Sequence, residues 1–284
     1  MMRFKIVSDS SADLTAFSAV PFASVPLKIT TSKAEFVDNA ELDVSDMIGR
    51  LEKYSGRSGS ACPNVNDWLD AFADAENIFC VTITSGLSGS YNSACIAANE
   101  YLQAHPERHV YVIDTLSTGP ESAILIEKLG QLILAGKSFD EIVAEVKRYQ
   151  NTTHLIFALE SLHNLANNGR VNRVVGKITG LLGIRIVGKA SLQGTLEITN
   201  KVRGAEKTIV EILKNMEQTG YNGGKVRIHH CENRTSAESL CNRLLQKFPK
   251  AEIIISTTRA LCSFYAERGG LLVGYEGACK KGEA

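Results

Sequence analysis

Ile78-Phe79-Cys80-Val81-Thr82-Ile83-Thr84-Ser85-Gly86-Leu87-Ser88-Gly89-Ser90-Tyr91 is the stretch from which the fold class is read. An apolar, strand-like run ends in a loop of small hydroxyl residues and glycines, and a helical pattern follows. That order is the repeating unit of a parallel α/β sheet. The loop also suits an anion. Its glycines let backbone approach a ligand, the first helical N–H groups lack intrahelical partners, and Thr84, Ser85, Ser88 and Ser90 add hydroxyls. No Lys, Arg, Asp or Glu lies within it, and the lysine of a GxxxxGK[ST] loop is missing. The loop therefore fits a singly charged or neutral oxygen-bearing head better than a triphosphate.

Outward from this stretch, Phe4 to Val7 and Val110 to Ile113 read as further strands. Each ends in polar residues: Ser8, Asp9, Ser10 and Ser11 after the first, and Asp114, Thr115 and Ser117 after the last. In open α/β sheets the carboxyl ends of strands form the ligand crevice, so three loops can face one site. Helical patterns cover Asn66 to Ala75, Tyr91 to Ala104, Glu121 to Ala135 and Phe139 to Tyr149. Past Asn151 the pattern changes. Leu155 to Leu159 reads as a strand, Val171 to Leu182 as an amphipathic helix, and Arg185 to Ala190 with Thr195 to Lys201 as strands joined around Gln193-Gly194. Gly204 to Gln218 and Ser236 to Lys247 are helical in period, and Lys225 to His230, Glu252 to Ser256 and Leu271 to Tyr275 resemble strands. We expect two α/β domains, 1–153 and 154–284, with a ligand cleft at their junction.

The composition narrows the function classes. Basic and acidic residues number 31 each in a chain of 284, which leaves no net attraction to nucleic acid or to an anionic membrane. Seven cysteines, an odd number without CxxC spacing, fit a reducing cytoplasm. The amino terminus reaches a polar loop too soon for a signal peptide, and no apolar run approaches the roughly 20 residues of a membrane span. A cytoplasmic protein without stable membrane insertion is expected.

Several chemistries can be weighed from residue types. A serine esterase would use Ser85 or Ser88, yet GLSGS is not the GxSxG elbow, and His154, His163, His229 and His230 have no identifiable place in a triad. His229, His230 and Cys231 suggest a metal, but neighbouring strand residues point to opposite faces, so no metal site is expected. Asp9 and Asp13 read equally as caps of a turn and as groups that orient hydroxyls or a cation. Arg170, in Asn167-Asn168-Gly169-Arg170, is the best cationic candidate. Val171, Val174, Val175, Ile178, Leu181 and Leu182 form an apolar face that fits either core or a cavity wall.

Together these segments resemble the DegV family. The resemblance rests on SDSSADL near the start, Ser60-Ala61-Cys62-Pro63, ITSGLSGSYNSA, VIDTLSTGPES, the segment Leu162 to Arg170, and Lys201-Val202-Arg203-Gly204, in that order over nearly the whole chain. It implies an N-terminal three-layer parallel-sheet domain, a C-terminal mixed-sheet domain, and one long-chain fatty acid bound between them. It also implies a non-enzymatic carrier without cofactor; in bacteria with a fatty acid kinase, some members of the family present the bound acid to that kinase for phosphorylation. Carried over residue by residue, Ser60 and Ser88 become the carboxylate partners, supported by Ser85, Gly89 and Arg170, while Arg203 matches the family's VRG arginine. One segment departs. Where the family has a histidine in THxGPG, our alignment places Phe264, with Tyr265 beside it. Tyr265 reads either as a hydroxyl replacing the imidazole or as half of an aromatic core pair.

Overall fold

Period-two alternation divides the early strands between two helical layers. In a computed structural model that describes residues 4–172 and 183–280, Ile6, Phe79 and Val81 face one apolar cluster and Val7, Ile78 and Cys80 face another. The first part runs β1 (Phe4–Asp9), a short 3-10 turn (Ser10–Ala12), β2 (Phe22–Val25), β3 (Lys28–Thr30), β4 (Glu35–Val37), α1 (Val44–Glu52), β5 (Gly59–Ala61), α2 (Val65–Phe72), β6 (Asn77–Thr82), α3 (Ser90–Ala104), β7 (His109–Asp114), α4 (Gly119–Leu134) and α5 (Phe139–Gln150). β2, β1, β6 and β7 form a wholly parallel sheet in that order. Trp68, Phe72, Ala94 and Tyr101 of α2 and α3 cover one face; Leu125, Leu129, Ile142 and Val146 of α4 and α5 cover the other. This is the expected three-layer arrangement.

The rest comprises β8 (Thr153–Leu159), α6 (His163–Asn167), β9 (Ile184–Ala190), β10 (Leu196–Arg203), α7 (Ala205–Gln218), β11 (Lys225–His230), α8 (Arg234–Lys247), β12 (Glu252–Thr257), α9 (Ala260–Ala266) and β13 (Leu271–Glu276). Its six strands form a mixed sheet in the order β10, β9, β8, β13, β11, β12, in which only β11 and β12 pair parallel. α7 and α8 bury one face through Ile209, Ile212, Met216, Leu240 and Leu244. The helix read from Val171 to Leu182 lies, apart from its first two residues, outside the described residues.

Two features went unread in the sequence and place the site. β3, β4 and β5 form a small antiparallel sheet, and with only three residues each they are too short for alternation to register. α9 is buried nearly all round, at Leu261, Cys262, Ser263, Phe264 and Ala266, so it lacks an amphipathic period. These elements pack together. Leu27, Ile29, Phe36 and Met47 share one apolar cluster with Leu155, Phe157 and Leu159 of β8 and with α9, on the face of the mixed sheet opposite α7 and α8.

α4 joins the two large sheets. Gly274 of β13 sits so close to its start that an added Cβ would lie 2.5 Å from Glu121 N and Pro120 C. Further along, Glu127 accepts Arg227 Nε and Nη2 at 2.6 Å each and Lys225 Nζ at 3.0 Å. Burial and two-pronged geometry make these bonds stronger than exposed ion pairs. Among the described residues no helix is long and apolar enough to cross a membrane, and no group of three His, Cys, Asp or Glu is placed to hold a metal.

Candidate functional site

Asp9, at the end of β1, holds the loop that follows β6. Fully buried, it accepts hydrogen bonds from Ile83 N at 2.9 Å, Ser90 Oγ at 2.5 Å, Ser11 N at 3.2 Å and Ser11 Oγ at 2.5 Å. The loop is thus pinned at both ends to one carboxylate. Burial pushes that carboxyl above the ordinary aspartate range, while the Ser11 and Ser90 bonds pull it back. Asp9 therefore caps a turn and also orients hydroxyls, two roles that residue type alone did not separate. Thr84 adds a third anchor by donating to Gly194 O at 2.8 Å, so the β9–β10 turn sits on the loop.

Beneath the loop lies a narrow cavity between the loop, β8 and the last helix. Its walls are mostly aliphatic: Leu27, Ile83 and Leu87 from one side, Leu155, Phe157 and Leu159 from β8, and Leu165, Leu196, Leu261 and Leu272 around them. Among the lining residues Ser60, Ser88, Thr118, Arg170 and Tyr265 bring hydroxyls and a guanidinium. Ser60 Oγ and Tyr265 Oη lie 2.8 Å apart. Ser88 Oγ accepts from Ser90 N at 3.3 Å, which leaves its own proton free to donate. Arg170 Nε donates to Leu87 O at 3.2 Å, so the cation is tied to the residue before Ser88. Thr118 Oγ1 donates to Ser11 O at 3.3 Å.

α9 supplies one wall, and buried acids fix its start. Asp13 Oδ1 accepts Arg259 N at 2.7 Å, while Asp38 takes Ala260 N and Leu261 N at 3.0 Å each. Carboxylates at a helix N-terminus satisfy orphan donors and meet the positive end of the dipole. Burial nevertheless pushes Asp38 up to about 6 against its backbone hydrogen bonds. Its ordinary value is 3.8, so between 3.8 and about 6 the folded chain binds the extra proton and stability falls as pH rises. Urea unfolding across that window should show a loss on the order of a few kcal/mol relative to Asp38→Asn, in which the group no longer titrates. Parallel curves for the two proteins would remove Asp38 as the titrating group.

The structure brings Ser60, Ser88 and Arg170 to one cavity. Ser85 and Gly89 stand outside its wall. Ser85 is exposed and its N–H bonds Asp114 Oδ1 at 3.0 Å; Gly89 precedes α3, where an added Cβ would meet Cys62 Sγ at 3.3 Å. Arg203 is exposed at the end of β10 and does not line the cavity. Of the two adjacent aromatics of α9, the one that lines the cavity is Tyr265, together with Leu261, Cys262 and Ala266 of the same helix. Phe264 is 2 % exposed, packed in the core with its ring edge-on to Tyr265 at 4.8 Å. Residues one apart on a helix point about 100° away from each other, so only one of the two aromatics can face the ligand space. The histidines engage other groups: His154 with Ala278 O, His163 with Asn167, His229 with Asp13 at 2.8 Å, and His230 with Asn233 N.

Comparison with known proteins gives one consistent picture. The family model described as "uncharacterised protein, DegV family" matches residues 3–276. A DegV domain-containing protein of Streptococcus gordonii is 46 % identical over 279 residues, which is 97 % of this chain and 99 % of that one. Two solved structures superpose with a TM-score of 0.95. A DegV family protein from Eubacterium eligens loaded with heptadecanoic acid is 43 % identical, covering 97 % of this chain and 100 % of that one. The Streptococcus pneumoniae Fatty Acid Kinase (Fak) B3 protein loaded with linoleic acid is 44 % identical, covering 98 % and 100 %.

Proposed function

The chain belongs to the DegV family, and on that premise we propose that it binds one long-chain fatty acid as a carrier. The carboxylate sits at Ser60 and Ser88, with Arg170 beside Ser88, and the tail fills the aliphatic cavity. The observation that carries this reading is the composition of the cavity wall, mostly leucines with a few uncharged donors and one tethered cation. An acceptor-only head suits donors that are free to turn toward it. The apolar walls suit an alkyl chain and little else. Likeness to the heptadecanoic acid and linoleic acid complexes supports the same ligand class.

The carrier works in the cytoplasm without a cofactor, and a partner kinase performs any chemistry on the acid. The Fak B3 relative supports that partner. A serine-nucleophile reading finds less support, since Ser88 Oγ bonds a backbone N–H and His154, His163, His229 and His230 bond elsewhere. Native mass spectrometry of the protein purified from cells should find one acyl chain per polypeptide. Ser88→Ala should weaken palmitate about ten- to a hundredfold, the worth of one hydrogen bond to a charged head, and leave most tail affinity. Protein that is empty and takes up neither palmitate nor oleate would sink the proposal, and covalent labelling of Ser88 by a fluorophosphonate would favour the esterase.

A further inference from the structure

Tyr265 and Ser60 are 205 residues apart in the chain, yet their hydroxyls meet at 2.8 Å in the wall of a cavity that is otherwise mainly aliphatic. Each hydroxyl carries one proton, so a bond between them consumes one and leaves one. A phenol is the stronger donor and an aliphatic hydroxyl the better acceptor. That difference favours the direction from Tyr265 Oη to Ser60 Oγ, in which the proton left over belongs to Ser60.

We propose that Tyr265 determines head-group specificity by donating to Ser60 and so committing the Ser60 O–H to the ligand as a donor. This rests on the fatty acid reading of the same cavity. With one Ser60 lone pair filled by the phenol, the rim of the site presents protons: Ser60 O–H, Ser88 O–H and the arginine N–H groups of Arg170 not spent on Leu87 O and Asn168 O. A carboxylate accepts all of these and offers no proton in return. A primary amide of the same chain length has two N–H donors that must find acceptors, and a buried donor without a partner weakens binding. The site thus selects acid over amide because Tyr265 takes one of the two Ser60 lone pairs and turns the Ser60 proton toward the head group.

The arrangement is built to hold that geometry. Phe264 packs edge-on against the Tyr265 ring, and the start of α9 is fastened by Asp13 and Asp38. Ser60 is held in turn by β5, whose backbone pairs with Ile29 of β3. Two rigid elements therefore set the hydroxyl separation, and the ligand does not have to assemble it.

The experiment is a competition of palmitate and palmitamide against a fluorescent fatty acid, in the wild type, Tyr265→Phe, Ser60→Ala and the double variant. Phenylalanine keeps the ring against Phe264, so Tyr265→Phe removes only the hydroxyl. It should lower the acid-over-amide preference about three- to tenfold, mainly by weakening the acid, because the Ser60 proton is no longer held toward the head group. In the Ser60→Ala background the same change should leave the preference unaltered, the signature of two residues acting as a unit. An unchanged preference in Tyr265→Phe, or additive effects in the double variant, overturns the inference alone. A wild type that takes up neither compound overturns the fatty acid reading as well.

Discussion

Asp9→Ala is expected to lower the unfolding free energy by about 3 to 5 kcal/mol and to loosen the loop over the cavity. Four donors lose their acceptor together: Ile83 N, Ser90 Oγ, Ser11 N and Ser11 Oγ. A buried donor left alone costs about 1 to 3 kcal/mol, but the sum is reduced because the wild-type carboxylate is itself fully desolvated. Asp9→Asn is the informative companion. It keeps the shape but replaces one acceptor oxygen with a donor, which then faces either Ile83 N–H and Ser90 or Ser11. Urea unfolding gives the energy, and amide exchange at Ile83 and Ser90 shows whether the loop ends open first. A loss below about 1 kcal/mol with unchanged exchange would mean that water replaces the carboxylate without penalty, and Asp9 would lose its place as the loop's anchor.

How much of this was legible beforehand depended on element length and on the range of each contact. Ile78 to Val81 declared itself because alternate residues face two different helical layers and the whole strand is buried. Arg170 could be singled out by charge, since few cations lie near such loops. Ser60 could not be reached by periodicity: β5 spans only Gly59–Ala61, and its place beside the cavity depends on pairing with β3 some thirty residues earlier. Only family resemblance pointed to it. Ser85 shows the converse. Its residue type suits a head-group site, but its orientation is set by Asp114, which takes its N–H and leaves the side chain exposed. The Phe264 and Tyr265 choice is the finest case. Composition gives two adjacent aromatics, and only the position of α9 decides which enters the core and which carries its hydroxyl to Ser60.

Palmitate should bind about a thousand- to ten-thousandfold more tightly than octanoate, a larger effect than any single head-group substitution. Eight fewer methylenes remove about 6 kcal/mol of apolar burial at roughly 0.8 kcal/mol each, an upper value because ordering the longer chain gives part of it back. A head hydrogen bond contributes about 0.5 to 3 kcal/mol. On the proposed reading the leucine-lined walls are expected to set affinity, and Ser60, Ser88 and Arg170, which line the same cavity, to set the orientation of the ligand. Titration calorimetry over saturated acids from eight to eighteen carbons tests this. The free energy should improve by a nearly constant step per methylene until the chain outgrows the cavity, with a heat-capacity change that becomes more negative along the series. The length at which the step vanishes measures how much of the tail this chain encloses. A palmitate to octanoate ratio below about thirtyfold would place most of the tail in water, and affinity would then have to come from the few polar groups, which these magnitudes do not allow for tight binding.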